Sequence, residues 1–237
     1  MKTQRRGVLG RQMVNILLAC LIILLYVATS HPNVQSVMGT LYAGPIYRGQ
    51  GEGKAALYVA VDWNAAALES ILDELQASGT HITFCVGGTW AKDNPELLRR
   101  IAADGHEIGT MGMDPGNDGD LPFVMEDLDA SVSAIKNGCG VTASFYYSGT
   151  RSIPNSTRAA QALGLVHILC TVDLLSARGD ETEILARALD QPFDGTILLM
   201  QPTAAAARAL PQIIAALKQK GLEVVPVGDV VAAGRTG

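Results

Sequence analysis

Three aspartates that follow predicted strands are the residues of this sequence best placed to do chemistry. The stretch AALYVAVDWN begins at Ala55, and its apolar run ends at Asp62. Asp114 and Asp173 each follow another strand-like segment. The carboxyl ends of parallel strands meet at one edge of an α/β sheet or barrel, and catalytic side chains gather at that edge. Carboxylates there can act as general bases, accept hydrogen bonds from sugar hydroxyls or hold a metal through oxygen.

Aromatic side chains accompany these carboxylates at the predicted strand ends. Trp63 and Trp90 each follow a strand, and Tyr146 and Tyr147 end another. Aromatic faces stack on pyranose rings while carboxylates bind hydroxyls, so the combination suits sugar binding. We therefore expect these four aromatic residues to bind substrate. The alternative for each aromatic residue is packing at the rim. The alternative for Asp62 is a helix N-cap, and Asp173 could likewise be a cap.

Other common hydrolytic sites lack support in the sequence. No two of the four histidines are spaced for joint zinc ligation: His31, His81, His106 and His167. Ser148-Gly149 lacks the context of a nucleophile elbow, and no Lys-Ser/Thr pair follows Gly87-Gly88 to complete a phosphate loop. Cys85 and Cys170 lie in apolar runs and are interpreted as inert core residues. We expect no metal site built on histidines.

The elements that must position these residues alternate between strand-like and helix-like segments. Strands are predicted at residues 55–62, 81–86, 106–111, 141–147, 165–173, 196–200 and 222–227. Helices are predicted at residues 65–77, from 94 to 104, at 121–137, from 154, and at 181–189, 204–220 and 228–233. Seven strand–helix units in one domain predict a parallel α/β barrel, closed or incomplete, with a doubly wound sheet as the alternative.

Charge and the N-terminal segment set the expected location. The net charge of −5 and the pI near 5.3 argue against nucleic acid as a partner. Residues 1–12 are basic, and the apolar segment 13–29 is about as short as a membrane span can be. We expect a single-pass anchor with a cytoplasmic N-terminus, a linker at 30–54 and an extracytoplasmic domain at 55–235. Secretion after cleavage of a signal peptide is the alternative.

Four stretches of the chain resemble the NodB-type polysaccharide deacetylases, the carbohydrate esterase 4-like family. They are VAVDW at 59–63, TFCVGGTWA at 83–91 with PELLRRI at 95–101, GHEIGTMGM at 105–113, and GTILLM at 195–200 with LPQII at 210–214. The third stretch is the most specific, and the sequence is most similar to the sporulation-associated PdaB-like branch. The resemblance implies a distorted (β/α)7 barrel. It also implies a hydrolase of non-peptide carbon–nitrogen bonds that deacetylates chitin-like or peptidoglycan sugars with a divalent metal such as zinc.

The resemblance assigns roles to single positions, and several positions carry a different residue. Asp62 matches the catalytic base and Asp173 matches the central aspartate of the fourth motif. The three metal-ligand positions hold Trp63, Met111 and Pro115 in place of one aspartate and two histidines. We therefore predict that no metal cofactor is bound and that only Asp62 and Asp173 remain as candidate catalytic residues.

Two further positions of the family are also replaced. Tyr146 stands where an arginine orients the base, and Arg151 in the following loop is a candidate substitute. Met200, followed by Gln201, stands where a histidine acts as general acid. Loss of a general acid alone costs on the order of 10²–10⁴ in rate. Loss of the metal also removes the means of lowering the pKa of the attacking water.

The sequence thus predicts a membrane-anchored protein of the cell envelope that has the deacetylase fold and impaired catalysis. It is expected to bind cell-wall glycan or to have a structural role, and sporulation is the setting that the resemblance implies. One alternative is an active deacetylase with a rearranged site, in which Asp62, Asp114 and Asp173 hold a metal through oxygen ligands. The other alternative is a protein-interaction scaffold whose cleft has closed.

Overall fold

The computed structural model describes residues 44–62 and 66–232. The predicted membrane anchor at 13–29 and the predicted site residue Trp63 therefore lie outside the described residues. In the described part of the chain, no helix combines the length and the apolar character that crossing a bilayer requires.

Eight parallel strands of the described chain form one curled sheet. They are β1 Lys54–Val61, β2 Thr83–Val86, β3 Glu107–Thr110, β4 Phe145–Tyr147, β5 Val166–Ile168, β6 Val172–Asp173, β7 Thr196–Met200 and β8 Glu223–Val225. Seven of them are hydrogen-bonded in the order β5-β4-β3-β2-β1-β7-β6, and β8 pairs with β1. The predicted parallel α/β barrel is confirmed as this curled, incompletely closed sheet.

Helices cover the outer face of the sheet, and the last of those described closes one end of the barrel. Those of the described residues are α1 Leu68–Ser78, α2 Gly88–Asp93, α3 Pro95–Ala103, α4 Leu121–Cys139, α5 Ile153–Ala162, α6 Glu181–Leu189, α7 Ala204–Gln219 and α8 Val227–Ala232. Helix α1 buries Leu68, Ile71, Leu72 and Leu75, the face that the sequence pattern predicts. Helix α6 begins with a reciprocal capping box, in which the Asp180 carboxylate and the Glu183 backbone N–H are paired.

Strand β1 lies at the centre of the sheet and is buried on both faces, which explains its unbroken apolar sequence. Ala56, Tyr58 and Ala60 belong to the cluster of side chains inside the barrel. The alternate residues of β1, from Ala55 to Val61, pack against the helices outside. Because side chains alternate along a strand, Asp62 continues the inward-facing series. The central strand therefore delivers a carboxylate to the C-terminal mouth of the barrel.

The single strand predicted at 165–173 is wrong, because the structure divides it into β5 and β6. Strand β5 pairs with β4, whereas β6 pairs with β7, so the chain crosses here between the two edges of the sheet. The N-terminal flank of the domain supports the exposed edge, since Ile46 forms a parallel bridge with Ile168. An apolar run cannot show that its two halves pair with different neighbours. Part of the predicted linker thus packs on the barrel.

Helix α8 closes the barrel at the N-terminal ends of β2 and β3. Val227, Val230 and Val231 join the interior cluster. The Thr83 hydroxyl donates to the Glu107 carboxylate at 2.5 Å and accepts the Val227 N–H at 2.8 Å. The Gly228 N–H donates to the same carboxylate oxygen of Glu107 at 3.0 Å. Burial raises the pKa of Glu107, whereas the hydrogen bonds that its carboxylate accepts from Thr83 and Gly228 act to lower it. The GHEIG stretch therefore attaches the last helix to the sheet.

Candidate functional site

Asp62 lies half-buried on the wall of a pocket of about 650 Å³. The pocket opens beyond the C-terminal ends of β1, β2 and β3, the edge at which the sequence predicted chemistry. Two other segments complete its lining: Gly87, Thr89, Trp90, Asp93 and Asn94 from the region of α2, and Met113, Asp114, Pro115, Gly116 and Asn117 from the loop after β3. Sequence reasoning missed Thr89, Asp93, Asn94 and Asn117, although all four belong to the segments that follow predicted strands.

Gly87 lies between Asp62 and Pro115. A Cβ atom placed on Gly87 would be 3.5 Å from the Pro115 ring and 3.7 Å from the Cα of Asp62. The structure thus brings together the position that matches the family's base and one position that matches a metal ligand. The catalytic role that the sequence assigns to Asp62 stays a prediction.

The residues at the metal-ligand positions do not fit a divalent metal. Pro115 has no donor atom in its side chain. Met111 is 6% exposed and belongs to the apolar interior cluster, where its thioether is a soft ligand unsuited to a hydrolytic zinc site. Across residues 44–62 and 66–232, no group of three or more His, Cys, Asp or Glu side chains is arranged to hold a metal ion. No step of hydrolysis can therefore be derived through a metal here.

The three aspartates of the rearranged-site alternative do not assemble as a ligand set. Asp114 lines the pocket with Asp62, and its carboxylate accepts a hydrogen bond from the Thr89 hydroxyl at 2.8 Å. Asp173 lies on β6, in register with Leu199, and its carboxylate accepts the Leu175 N–H at 2.8 Å. Asp173 is not part of the pocket lining. Asp173 therefore stabilises a turn and lies outside this pocket, and its catalytic role stays a prediction.

Tyr146 was predicted to bind substrate, and its position contradicts that prediction. The side chain is fully buried and packs with Val124, Leu128 and Ala159, on the helix-facing side of β4. Its hydroxyl lies 3.2 Å from the Ser156 hydroxyl. The alternation of β4 places Tyr146 outside the barrel, because its neighbours in the strand face inward. Tyr146 therefore contributes to packing rather than to glycan contact.

Tyr147 faces inward, as a site residue should, and it lies half-buried beside other aromatic and thiol groups. Its ring meets the ring of Tyr58 edge-on, with centroids 5.3 Å apart. Burial raises the pKa of Tyr147 well above its ordinary value, and the nearby Cys170 and Asp173 add to the shift. Burial also raises the pKa of Cys170 to about 11, so this thiol stays protonated at neutral pH.

Trp90 lines the pocket but is only 5% exposed, and most of its ring packs into the core. Its indole N–H has no hydrogen-bond partner among the described residues. Trp90 therefore supports the pocket wall, and its ring is not exposed as a platform on which a sugar could stack. Trp63, the other predicted indole, lies outside the described residues.

Arg151 is paired with Asp127 and does not substitute for the arginine that orients the base. Its guanidinium forms a buried ion pair with Asp127 at 2.6 Å. Burial acts to lower the pKa of Arg151, but hydrogen bonding to Asp127 and Tyr146 outweighs it and raises that pKa. Gln201, at the C-terminal end of β7, is likewise engaged, because its side-chain oxygen accepts the Ser176 hydroxyl at 2.9 Å.

A larger cavity, of about 840 Å³, lies at the opposite end of the barrel. It is lined by residues near the N-terminal ends of β1, β2 and β8, including Gly53, His81 and Glu223. Size alone does not make this cavity the site. In barrels of this type chemistry is performed at the C-terminal ends of the strands, and the smaller pocket beside Asp62 meets that condition.

The curled parallel α/β barrel is the fold of the polysaccharide deacetylase class. The family profile described as polysaccharide deacetylase matches residues 50–168, half of the chain. The chain therefore belongs to the polysaccharide deacetylase family, as the sequence motifs predicted.

The chain is also similar to individual proteins. The uncharacterized protein YlxY of Bacillus subtilis (strain 168) is 28% identical over 199 residues, which cover 81% of this chain and 62% of YlxY, so the chain spans less than two thirds of that relative. BA3943, a CE4 family pseudoenzyme from Bacillus anthracis, has a TM-score of 0.75 and 24% identity, over 78% of this chain and 68% of its own. A mutant of BA3943 is described as having restored enzymatic activity.

A peptidoglycan deacetylase of known structure has a similar fold. PdaC from Bacillus subtilis has a TM-score of 0.67 and 21% identity, over 79% of this chain and 93% of its own. At these identities the likeness establishes the fold alone. The PdaB-like branch stays a prediction from the sequence.

Proposed function

We propose that this chain is a glycan-binding member of its family that does not hydrolyse acetyl groups. The observation that carries the proposal is the pocket beside Asp62. Its lining offers carboxylates, amides and a hydroxyl, while two of the family's ligand positions hold Met111 and Pro115. Without a metal the attacking water keeps its high pKa, and a missing general acid costs on the order of 10²–10⁴ in rate. Binding groups thus remain where the hydrolytic groups have been replaced.

The negative charge of the pocket lining indicates which class of glycan the pocket would bind. Asp62, Asp93 and Asp114 line it, and no lysine or arginine is among its described lining residues. Three carboxylates in the lining of one pocket repel anionic ligands and attract cationic ones. We therefore propose neutral chito-oligosaccharides, and oligosaccharides with free amino groups, as the ligand class. Glycans that carry carboxylates or phosphates are disfavoured.

The cellular setting of the proposal comes from the sequence. The basic residues 1–12 followed by the apolar segment 13–29 support a single-pass membrane anchor, which would place the domain in the cell envelope beside the wall glycan. Protease treatment of intact spheroplasts tests it. We expect the domain to be digested from outside and the protein to sediment with membranes, whereas a protected, non-sedimenting protein would contradict this setting.

Calorimetric titration of the full-length chain tests the binding proposal. We expect chitotetraose and its fully deacetylated form to bind, and tetragalacturonic acid to show no binding. The double variant Asp62→Asn with Asp114→Asn should weaken binding of the deacetylated tetramer by about tenfold or more, because two carboxylates that face its ammonium groups are neutralised. Binding of chitotetraose should change less.

A matched variant controls for the change of net charge. The double variant Asp129→Asn with Asp190→Asn removes two exposed carboxylates, one on α4 and one at the end of α6, outside the pocket lining, and should leave both affinities unchanged. Preferred binding of the anionic tetramer would contradict the proposed ligand class. Equal losses for the charged and neutral tetramers would contradict the role of the carboxylates.

A further inference from the structure

One wall of the pocket is a loop whose backbone is hydrogen-bonded to a buried ion pair. The loop, residues 112–117, supplies five of the lining residues, from Met113 to Asn117. Beneath it, Arg151 Nη1 donates to Asp127 Oδ2 at 2.6 Å. The two side chains are only 1% and 8% exposed. A buried arginine–carboxylate pair of this kind has a fixed geometry, because the planar guanidinium presents its donors in a rigid fork.

The ion pair contacts both backbone polar groups of Asp114, its carbonyl and its N–H. The second guanidinium nitrogen, Nη2 of Arg151, donates to the Asp114 carbonyl at 2.7 Å. The Asp114 N–H points to Asp127 Oδ1 at 3.4 Å. The Asp114 carbonyl also accepts the N–H of Asn117 at 3.0 Å, which closes the turn of the loop. Arg151 and Asp127 together therefore fix the backbone from which the Asp114 carboxylate projects.

Gly112 shows how closely the pair approaches the loop. Its φ is +87°, and a Cβ on this residue would overlap Asp127 Oδ2 and lie 2.5 Å from Arg151 Nη1. Only glycine leaves room for the ion pair at this point of the chain. On the other side, backbone bonds from Gly88 N–H to the Gly112 carbonyl and from Thr89 N–H to the Met113 carbonyl, at 2.8 and 3.1 Å, tie the loop to the opposite wall.

We propose that Arg151 and Asp127 are the positioning residues of this binding pocket. They hold the loop so that the carboxylate of Asp114 and the ring of Pro115 lie at the mouth beside Asp62. Neither residue lines the pocket, so their effect on a ligand passes through the loop. The inference rests on the proposed glycan-binding function and adds the element that sets its affinity.

Two conservative variants and two readouts test the proposal in the full-length chain. Arg151→Lys keeps the positive charge but cannot reach both Asp127 and the Asp114 carbonyl as a fork. Asp127→Asn keeps an oxygen acceptor and loses the charge, and it continues the test if the lysine variant fails to fold. Each variant should weaken chitotetraose binding about tenfold, because a loosened wall no longer presents its groups in one geometry. Each should also speed hydrogen exchange at residues 112–117.

The control is Arg100→Lys, which alters an exposed ion pair with Asp73 on the helix layer. This variant should change neither the affinity nor the exchange of the loop. Unchanged exchange at 112–117 in both test variants would overturn the proposal, and so would faster exchange with unchanged affinity. If the wild-type chain binds no glycan, the proposed function fails by itself, and the exchange readout alone then supports or overturns the positioning of the loop.

Discussion

Replacement of Gly88 by alanine is expected to lower the free energy of unfolding by about 3 kcal/mol, since overpacking against backbone is among the costliest single changes. A Cβ on Gly88 would overlap Met113 Sδ and lie 2.8 Å from Oγ and 2.9 Å from Cα of Ser131. The methionine can move, but the Cα of Ser131 is part of the buried face of α4. Helices α2 and α4 must therefore separate to accept one methyl group.

Urea denaturation followed by circular dichroism measures this effect. The control is Gly116→Ala, in the exposed loop of the pocket, where an added Cβ would meet nothing within 4 Å. We expect the control to stay within about 0.5 kcal/mol of the wild type, as surface substitutions usually do. A Gly88→Ala variant as stable as this control would show that α2 and α4 are not packed as closely as described.

Acidification is expected to destabilise the fold between pH 6.5 and pH 4 through two buried histidines. Burial, together with the neighbouring His81, lowers the pKa of His106 to about 4, and burial lowers the pKa of His167 to about 4. The Nδ1 atom of His106 faces the Ile82 N–H at 3.4 Å. His167 is hydrogen-bonded through Nδ1 to the Thr157 hydroxyl at 2.8 Å. Both rings are thus held neutral in the folded chain.

The sign of the effect follows from the direction of the pKa shifts. In the unfolded chain a histidine takes up a proton near pH 6.5, whereas these two resist protonation until about pH 4. The stability they contribute is complete above pH 6.5 and is lost as the pH falls through this window, by roughly 3 kcal/mol for each. Glu107 acts in the opposite direction, because burial raises its pKa and protonation in acid then favours the fold.

Stability curves of the single variants His106→Gln and His167→Gln separate these contributions. Glutamine does not titrate, so each variant should lose less stability than the wild type between pH 6.5 and pH 4. Measurement at pH 8, where both histidines are neutral, gives the packing cost of each substitution and serves as the control. A wild-type slope retained in both variants would assign the acid sensitivity to other groups.

Local periodicity predicted most of the elements of this fold. Strand β7 and helix α6 begin and end at the predicted residues, 196–200 and 181–189. The sequence marks the ends of both elements clearly. An apolar run between Gly195 and Gln201 defines β7, and a capping box defines the start of α6. Strand β4 is shorter than predicted, since only Phe145–Tyr147 pairs with neighbours. Pairing depends on distant strands, which local pattern does not contain.

The candidate site was only partly predictable. Asp62 could be placed at the barrel mouth because strand phase and fold class determine that position. The role of Tyr146 was assigned incorrectly, because alternation identifies two faces of β4 without showing which face meets the barrel interior. The contact of Arg151 with Asp127 spans 24 residues and joins a loop to the middle of a helix. No local rule connects such a pair, and the structure was needed to reveal it.

Titration of chitotetraose into the full-length chain, with released acetate assayed in the same sample, distinguishes a glycan-binding pocket from an active deacetylase. It should be performed with added zinc, with added cobalt and with a chelator. We expect saturable binding, unaffected by chelator, and no acetate under any condition. Acetate release that the chelator abolishes would contradict it, because an active metal centre would then exist that the residues beside Asp62 do not form.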